Sequence, residues 1–351
     1  MISAPAPARA FASDNAAGVH PAVMNALHEA NHGHALAYGS DRWTTEVNER
    51  MRDLFGHETQ AFLVWGGTGA NVMALASMLG PAQAVLCTNW SHINVDETGA
   101  PERILGAKLI DLVCPNGKLE PSQIEDQAHA LGVMHHAQPG VVSLTQSTEL
   151  GTTYSAEEIG ALCDVAHRLG MSVHMDGARL ANAVAAAGGT HAALREMTVD
   201  AGVDVLSFGA TKNGMMYGEA VVYLNDRFVA VAPFVRKQVT QLPSKMRFVA
   251  AQFNALLHDD LWLSLAAHSN RVATRLYDAT RKIAAVKYDS PPAVNSVFPH
   301  LPADTIEELR NWCFFWDWEV SSHQVRWMTA WDTTEQDVDG FAKGVQELLA
   351  P

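Results

Sequence analysis

Two stretches decide the fold: Val173-His-Met-Asp-Gly-Ala-Arg179 and Asp204-Val-Leu-Ser-Phe-Gly-Ala-Thr-Lys-Asn213. In the first, an apolar strand ends in an acid and then a glycine. In the second, an apolar strand ends in small residues and then a lysine. Asp176 and Lys212 are 36 residues apart, close to the length of one strand–helix–strand unit. If the two strands are neighbours in a parallel sheet, both residues emerge at its carboxyl edge, where open α/β folds bind their ligands.

The surrounding sequence repeats this pattern. Ala61–Trp65, Ala84–Thr88, Lys108–Val113, Val141–Thr145, Ser172–Met175, Asp204–Phe208 and Ala220–Leu224 all read as short strands. Several are unbroken apolar runs, the mark of strands buried on both faces. Between them lie helical segments. Gly69 to Leu79 stops at Gly80-Pro81, and Ser155 to Leu169 opens with the capping-box spacing Ser155-Ala-Glu-Glu158 and ends before Gly170. The alternation predicts an α/β fold with a mostly parallel sheet. From about residue 230 the character changes. Arg247 to Leu257 and Trp262 to Ala284 read as helices, and Ser290-Pro-Pro292 is a break. The remainder predicts a small α+β unit, with strands at Asn295–Phe298 and Gln324–Thr329 and a helix from Ala303.

Composition narrows the function. Of 351 residues 48% are apolar and 18% charged, the balance of a folded globular chain. A net charge of −14 argues against a nucleic acid or an anionic membrane surface as partner, because phosphate backbones attract basic faces. No apolar run reaches the roughly 18 residues a bilayer span needs. Met1–Ala10 lacks the apolar core of a secretory signal and reads as a loose tail. Cys87, Cys114, Cys163 and Cys313 form no C-x-x-C pair and read as free thiols of a cytoplasmic protein. His32/His34 and His135/His136 fall in no metal-binding frame, so no metal is expected.

An acid and a lysine placed together at a sheet edge suit pyridoxal phosphate. That cofactor needs a lysine for its Schiff base and an acid beside its pyridine nitrogen, so that the ring can draw electrons from the substrate. It also needs a phosphate cradle. Gly66-Gly-Thr-Gly-Ala-Asn71 follows a strand and opens a helix, offering backbone N–H groups and the Thr68 hydroxyl. The chain has eight lysines and none before Lys108, so an anion site in the first hundred residues must use backbone, hydroxyls or arginine. A Gly-rich turn, a D-G pair or a lysine after a strand is each commonplace alone. Their order on successive strand ends carries the inference.

Further segments run in the same order: Phe11-Ala-Ser-Asp-Asn15, Ala37-Tyr-Gly-Ser-Asp41, Gly67-Thr-Gly-Ala-Asn71, Thr145-Gln-Ser-Thr148, His174-Met-Asp-Gly-Ala-Arg179, Gly209-Ala-Thr-Lys-Asn-Gly214, Ser244-Lys-Met-Arg247 and Val325-Arg-Trp-Met328. On these the chain resembles the low-specificity L-threonine aldolases, which are fold type I pyridoxal-phosphate enzymes. It is most similar to bacterial members that also take phenylserine-type substrates. The resemblance implies an aspartate-aminotransferase-like α/β fold: an N-terminal arm (1–20), a large domain with a mostly parallel seven-stranded sheet (21–255) and a small C-terminal α+β domain (256–351). It implies retro-aldol cleavage of L-threonine or L-allo-threonine to glycine and an aldehyde, in a homodimer or homotetramer with shared active sites.

By the same resemblance Lys212 forms the Schiff base and Asp176 pairs with the pyridine nitrogen. Gly67, Thr68 and Gly69 hold the phosphate, supplemented by Arg247. Arg179 and Arg326 grip the substrate carboxylate, with Ser13 adding a hydroxyl, and Tyr38 lies in a substrate loop in which Ser40 replaces a family acid. His92 stacks on the cofactor, with or without taking the β-hydroxyl proton. Thr145–Thr148 lacks the histidine some members carry, which leaves His92, a water or the cofactor phosphate as base. Lys237 sits near the phosphate, reaches across a subunit boundary or is a surface residue. The Trp312/Trp316/Trp318 cluster is either an interface patch or part of the small-domain core. Other chemistry on the same cofactor (β-elimination, racemisation, transamination) would leave the same cofactor residues, and only the product separates it from aldol cleavage.

Overall fold

Seven strands, β1 (Gln60–Val64), β2 (Gln83–Thr88), β3 (Lys108–Leu112), β4 (Gln138–Thr145), β5 (Ser172–Gly177), β6 (Val205–Phe208) and β7 (Glu219–Tyr223), form one sheet. This is seen in a computed structural model that describes residues 2–349. The order is β1-β7-β6-β5-β4-β2-β3. Strands β2 to β6 pair in parallel, while β7 runs antiparallel to both β6 and β1. Two reversals leave β1 pointing the same way as β6. The turn after β1 therefore opens at the same edge as the ends of β5 and β6.

The unbroken apolar runs follow from burial on both faces. Alternate residues divide between two cores: Leu63, Leu144, Met175 and Leu206 face one, and Phe62, Val141, Val205 and Val221 face the other. The helix Ala156–Arg168 begins with the capping box read from the sequence: Glu158 N–H donates to Ser155 Oγ at 3.2 Å and Ser155 N–H donates to Glu158 Oε2 at 2.7 Å.

A second sheet lies towards the C-terminus. It comprises β8 (Lys287–Tyr288), β10 (Pro299–His300), β11 (Trp316–Glu319) and β12 (Gln324–Met328), with β9 (Ser296–Val297) pairing on β12. The sequence signalled β9 and β12 but not β8 and β10, which are too short to carry a periodicity, nor β11, which lies in the Trp312–Trp318 cluster. The tryptophan cluster divides by position. Trp312 packs on Phe341, Trp316 is 53% exposed, and Trp318 stacks beside Trp90. The N-terminal segment docks here. Phe11 is 1% exposed in a third core with Trp327 and Phe341, and its carbonyl accepts Met328 N–H at 2.9 Å. Arg9 pairs with Asp332 and Asp337. No helix among the described residues is long and apolar enough to cross a membrane.

The end of β6 is held against the end of β5 without space for a side chain. A Cβ on Gly209 would sit 2.5 Å from the Ala178 backbone, and backbone cannot swing aside. Gly209→Ala is expected to destabilise the protein by about 3 kcal/mol, the upper end for overpacking, read as a lower urea midpoint at constant m-value.

Candidate active site

Asp176 pairs in register with Ser207 across β5 and β6, and the chain leaving β6 turns at once into a short 3₁₀ turn, Thr211–Asn213, that carries Lys212. Gly214 closes the turn at φ 102, and Asn213 anchors it by donating to the Trp262 carbonyl at 2.8 Å. The Lys212 amine makes no hydrogen bond among the described residues. Burial, then nearby Arg179, push its proton affinity below that of a free lysine. Asp176 is buried, accepting Asn71 Nδ2–H at 2.8 Å and Ala178 N–H at 2.9 Å. Burial alone would raise its carboxyl, but Lys212, the Ala178 amide and Asn71 hold it below the usual carboxylate range.

Asp176 and Lys212 line one small cavity together with Gly67, His92 and Arg179. His92 follows β2 at the start of a short helix. Its Nδ1 meets Glu97 Oε1 at 2.8 Å, and that bond, ahead of all other influences, raises the imidazole's proton affinity. Gly67 opens the helix Gly67–Met78, whose N-cap, Gly66, provides no side-chain cap. A Cβ on Gly67 would meet nothing within 4 Å, and Gly67 borders the same cavity as Lys212. Gly69 has the opposite reason to be glycine, since the Gln241 side chain occupies the place of its Cβ. Thr68 lies in the same first turn.

The two arginines differ. Arg179 is largely buried and spends two donors on Asp14, at 2.7 and 2.9 Å. Burial would raise the Asp14 carboxyl, but the guanidinium holds it below its ordinary range. Arg326, on β12, lies 5.0 Å from the Trp318 ring, and its buried Nε has no partner among the described residues. Burial and the neighbouring Arg179 push its proton affinity down to about 10. The Ser13 hydroxyl caps the short turn Asp14–Ala16 by accepting Asn15 N–H. Tyr38 and Arg247 stand apart from this cavity. Tyr38 is 52% exposed, its N–H donating to the Ser244 carbonyl and its ring 5.4 Å from Lys237 Nζ. Arg247 donates to the Gly33 carbonyl at 3.0 Å.

Four residues were not singled out by the sequence. Asn71 bridges Asp176 and Glu97, and Asp14 fixes Arg179. Glu97 keeps a buried Oε2 without a partner, and so does Glu149, whose Oε1 accepts His92 N–H and the Thr145 hydroxyl. A desolvated, unbonded amine, a buried carboxylate and an uncapped helix N-terminus answer to an aldehyde, a pyridine nitrogen and a phosphate. The residues present therefore fit pyridoxal phosphate.

Comparison with known proteins agrees. The beta-eliminating lyase family model matches residues 10–303. A low-specificity L-threonine aldolase from a Pseudomonas species is 39% identical over 97% of this chain and 98% of its own. One from Pseudomonas aeruginosa is 40% identical over 97% of each chain. The Leishmania major threonine aldolase structure superposes with a TM-score of 0.89 at 30% identity, over 97% of this chain and 99% of that one.

The Asp14–Arg179 pair makes a prediction. Asp14→Asn leaves a largely buried guanidinium without its counter-charge and is expected to cost about 3–5 kcal/mol, measured by urea unfolding at pH 7. Because the folded-state carboxyl lies below its unfolded value, the pair's stabilisation is complete at neutral pH and is lost as pH falls through the carboxylate range. The asparagine variant should lose that part of the acid dependence.

Proposed function

The chain belongs to the beta-eliminating lyase family, and from that premise we propose that it cleaves β-hydroxy amino acids such as L-threonine, L-allo-threonine and phenylserine-type substrates to glycine and an aldehyde, with pyridoxal phosphate as cofactor. The observation that carries the reading is the desolvated Lys212 amine set beside Asp176 at neighbouring strand ends, in a chain 39–40% identical to low-specificity L-threonine aldolases over almost its whole length.

When bound, pyridoxal phosphate supplies an electron sink for the Cα bond that stands perpendicular to its ring. Lys212, kept short of its usual proton affinity by burial, would supply the amine that condenses with the cofactor's aldehyde, water leaving. Asp176 would keep a proton on the pyridine nitrogen. The N–H groups at Gly67, Thr68 and Gly69, with the Thr68 hydroxyl, would hold the phosphate. His92 would lie against the ring.

Arg326 is the freer of the two arginines and would take the substrate carboxylate, desolvated and over the Trp318 face. Arg179, already bound to Asp14, has less to give and would add one further donor, with the Ser13 hydroxyl beside it. Holding the carboxylate fixes the rotation about N–Cα, and with it the bond that stands upright.

The same reading divides the chain into an arm (1–20), a large domain (21–255) and a small domain (256–351), and makes the protein a cytoplasmic homodimer or homotetramer. Its four cysteines are unpaired and buried, in keeping with a reducing compartment. Tyr38 and Arg247 stand outside their own chain's cavity, and sites shared between subunits would give them, and Lys237, a place.

Wild-type protein with pyridoxal phosphate and L-threonine should release equimolar glycine and acetaldehyde, whereas ammonia and 2-oxobutyrate would mean β-elimination instead. Lys212→Ala should lose both the reaction and the visible absorption of the bound cofactor. Mixing Lys212→Ala with Arg247→Ala should restore part of the activity if subunits share sites, and none if each chain is self-sufficient.

A further inference from the structure

The cavity contains a carboxyl group that none of the roles above employs. Glu149 follows β4 by four residues. Its Oε1 is occupied, accepting His92 N–H at 2.8 Å and the Thr145 hydroxyl at 3.0 Å, while its Oε2 is buried without a partner. A buried acceptor left open beside Lys212, Asp176 and His92 is costly unless something arrives to satisfy it.

Glu97 also keeps a buried Oε2 open, but its Oε1 is tied to the His92 ring and to Asn71, whereas Glu149 is met only by an amide and a hydroxyl. His92 Nδ1 is held by Glu97, a bond that raises the imidazole's proton affinity, and its ring is the one placed against the cofactor above. Asp176 is committed to Asn71 and the Ala178 amide. The hydroxyls of Thr145 and Ser147 are far too weak as bases. We infer that Glu149 is a further catalytic residue, whose Oε2 receives the proton from the substrate's β-hydroxyl during carbon–carbon cleavage. This rests on the aldol reading above and supplies the base which the missing histidine of Thr145–Thr148 left unassigned.

The atoms balance. The β-O–H bond breaks with its proton going to Oε2. Its electron pair becomes the second carbon–oxygen bond of the aldehyde as Cα–Cβ breaks. The Cα–Cβ pair stays with Cα, which takes up one proton to complete glycine. The neutral carboxyl then returns its proton to solvent or substrate, restoring Glu149.

Burial, the largest influence, raises the Glu149 carboxyl to about 7, with Asp176 adding to the rise and the donors from His92 and Thr145 opposing it. Around it also stand Arg179, Cys87 and Tyr154, with Lys212 across the cavity. The basic form thus predominates above about pH 7, and cleavage should fall as pH drops through that value.

Glu149→Gln keeps the side-chain size and the Oε1 acceptor. In the holoenzyme it should cut threonine cleavage about 100-fold or more and abolish the acid limb near pH 7. Deuterium exchange at Cα of glycine needs the cofactor but no β-hydroxyl base, and it should stay within about threefold of wild type. Independently of turnover, the infrared difference between wild type and variant without substrate should show a protonated-carboxyl band that titrates near pH 7, the like contribution of buried Glu219, raised to about 7 as well, cancelling in the subtraction. An unchanged cleavage rate, an unchanged acid limb, no such band, or an equal loss of cleavage and glycine exchange would each overturn the assignment. Should the glutamine variant fail to hold the cofactor, Glu149→Asp is read by the same criteria. Wild-type protein that exchanges glycine Cα–H but releases no aldehyde from any β-hydroxy amino acid would sink the aldolase reading itself, and the assignment with it.

Discussion

Asp176 and Lys212 leave two hydrogen-bonded parallel strands at the same edge, and neither is solvated well enough to be a comfortable charge there. An unpaired charge in such a place is expensive, and much of the surrounding architecture supplies compensation. Asn71 reaches from the helix after β1, the Ala178 amide comes from the turn after β5, and Glu219 on β7 accepts the Ala210 N–H that leads into the lysine turn. The parallel register brings these groups to one point. A slip of one residue between β5 and β6 would send every alternate side chain to the opposite core.

The cavity is no simple cationic pocket in an acidic protein. Lys212 and Arg179 face Glu97, Glu149 and Asp176 in its lining, with Arg326 and Asp14 adjoining Arg179 outside it. The carboxylates divide into two kinds. Asp14 and Asp176 are answered by cations or amide donors and stay ionised. Glu97 and Glu149 each keep one buried oxygen without a donor. The first kind fixes positions, and the second keeps bonding capacity in reserve. A net charge of −14 describes the exterior, while at the site the signs alternate over a few ångströms.

The sheet was legible because both of its faces are buried, which turns strands into apolar runs that announce themselves. Asp176 and Lys212 were legible because each closes such a run. Glu149 lies one residue beyond the Thr145–Thr148 segment that drew attention, and nothing local separates it from a surface glutamate. Asp14 stands next to Ser13 but works on a residue 165 positions away, and no periodicity reports a contact of that range. His174 is the converse: it sits within the most informative motif, yet it is a buried core histidine held by the Ser143 and Ser207 hydroxyls. Burial drives its proton affinity down to about 4. The resemblance carried Tyr38 and Arg247 to the site by analogy, but within one chain they lie outside the cavity.

The docking of the N-terminal segment bears on how the protein is made. Phe11 needs Trp327 and Phe341 around it, Arg9 needs Asp332 and Asp337, and Asp14 brings order to Arg179 only once this segment is seated. The partners of Phe11 and Arg9 are separated from them by more than 300 residues in the chain. Made before its partners, this segment is therefore among the last to settle. Until then Phe11 waits without its partners, while the seven-stranded sheet can already assemble behind it. The substrate side of the site is completed only after residues 327–341 have been made, so a chain stalled before them would have its cofactor residues without the seated Asp14 that holds Arg179.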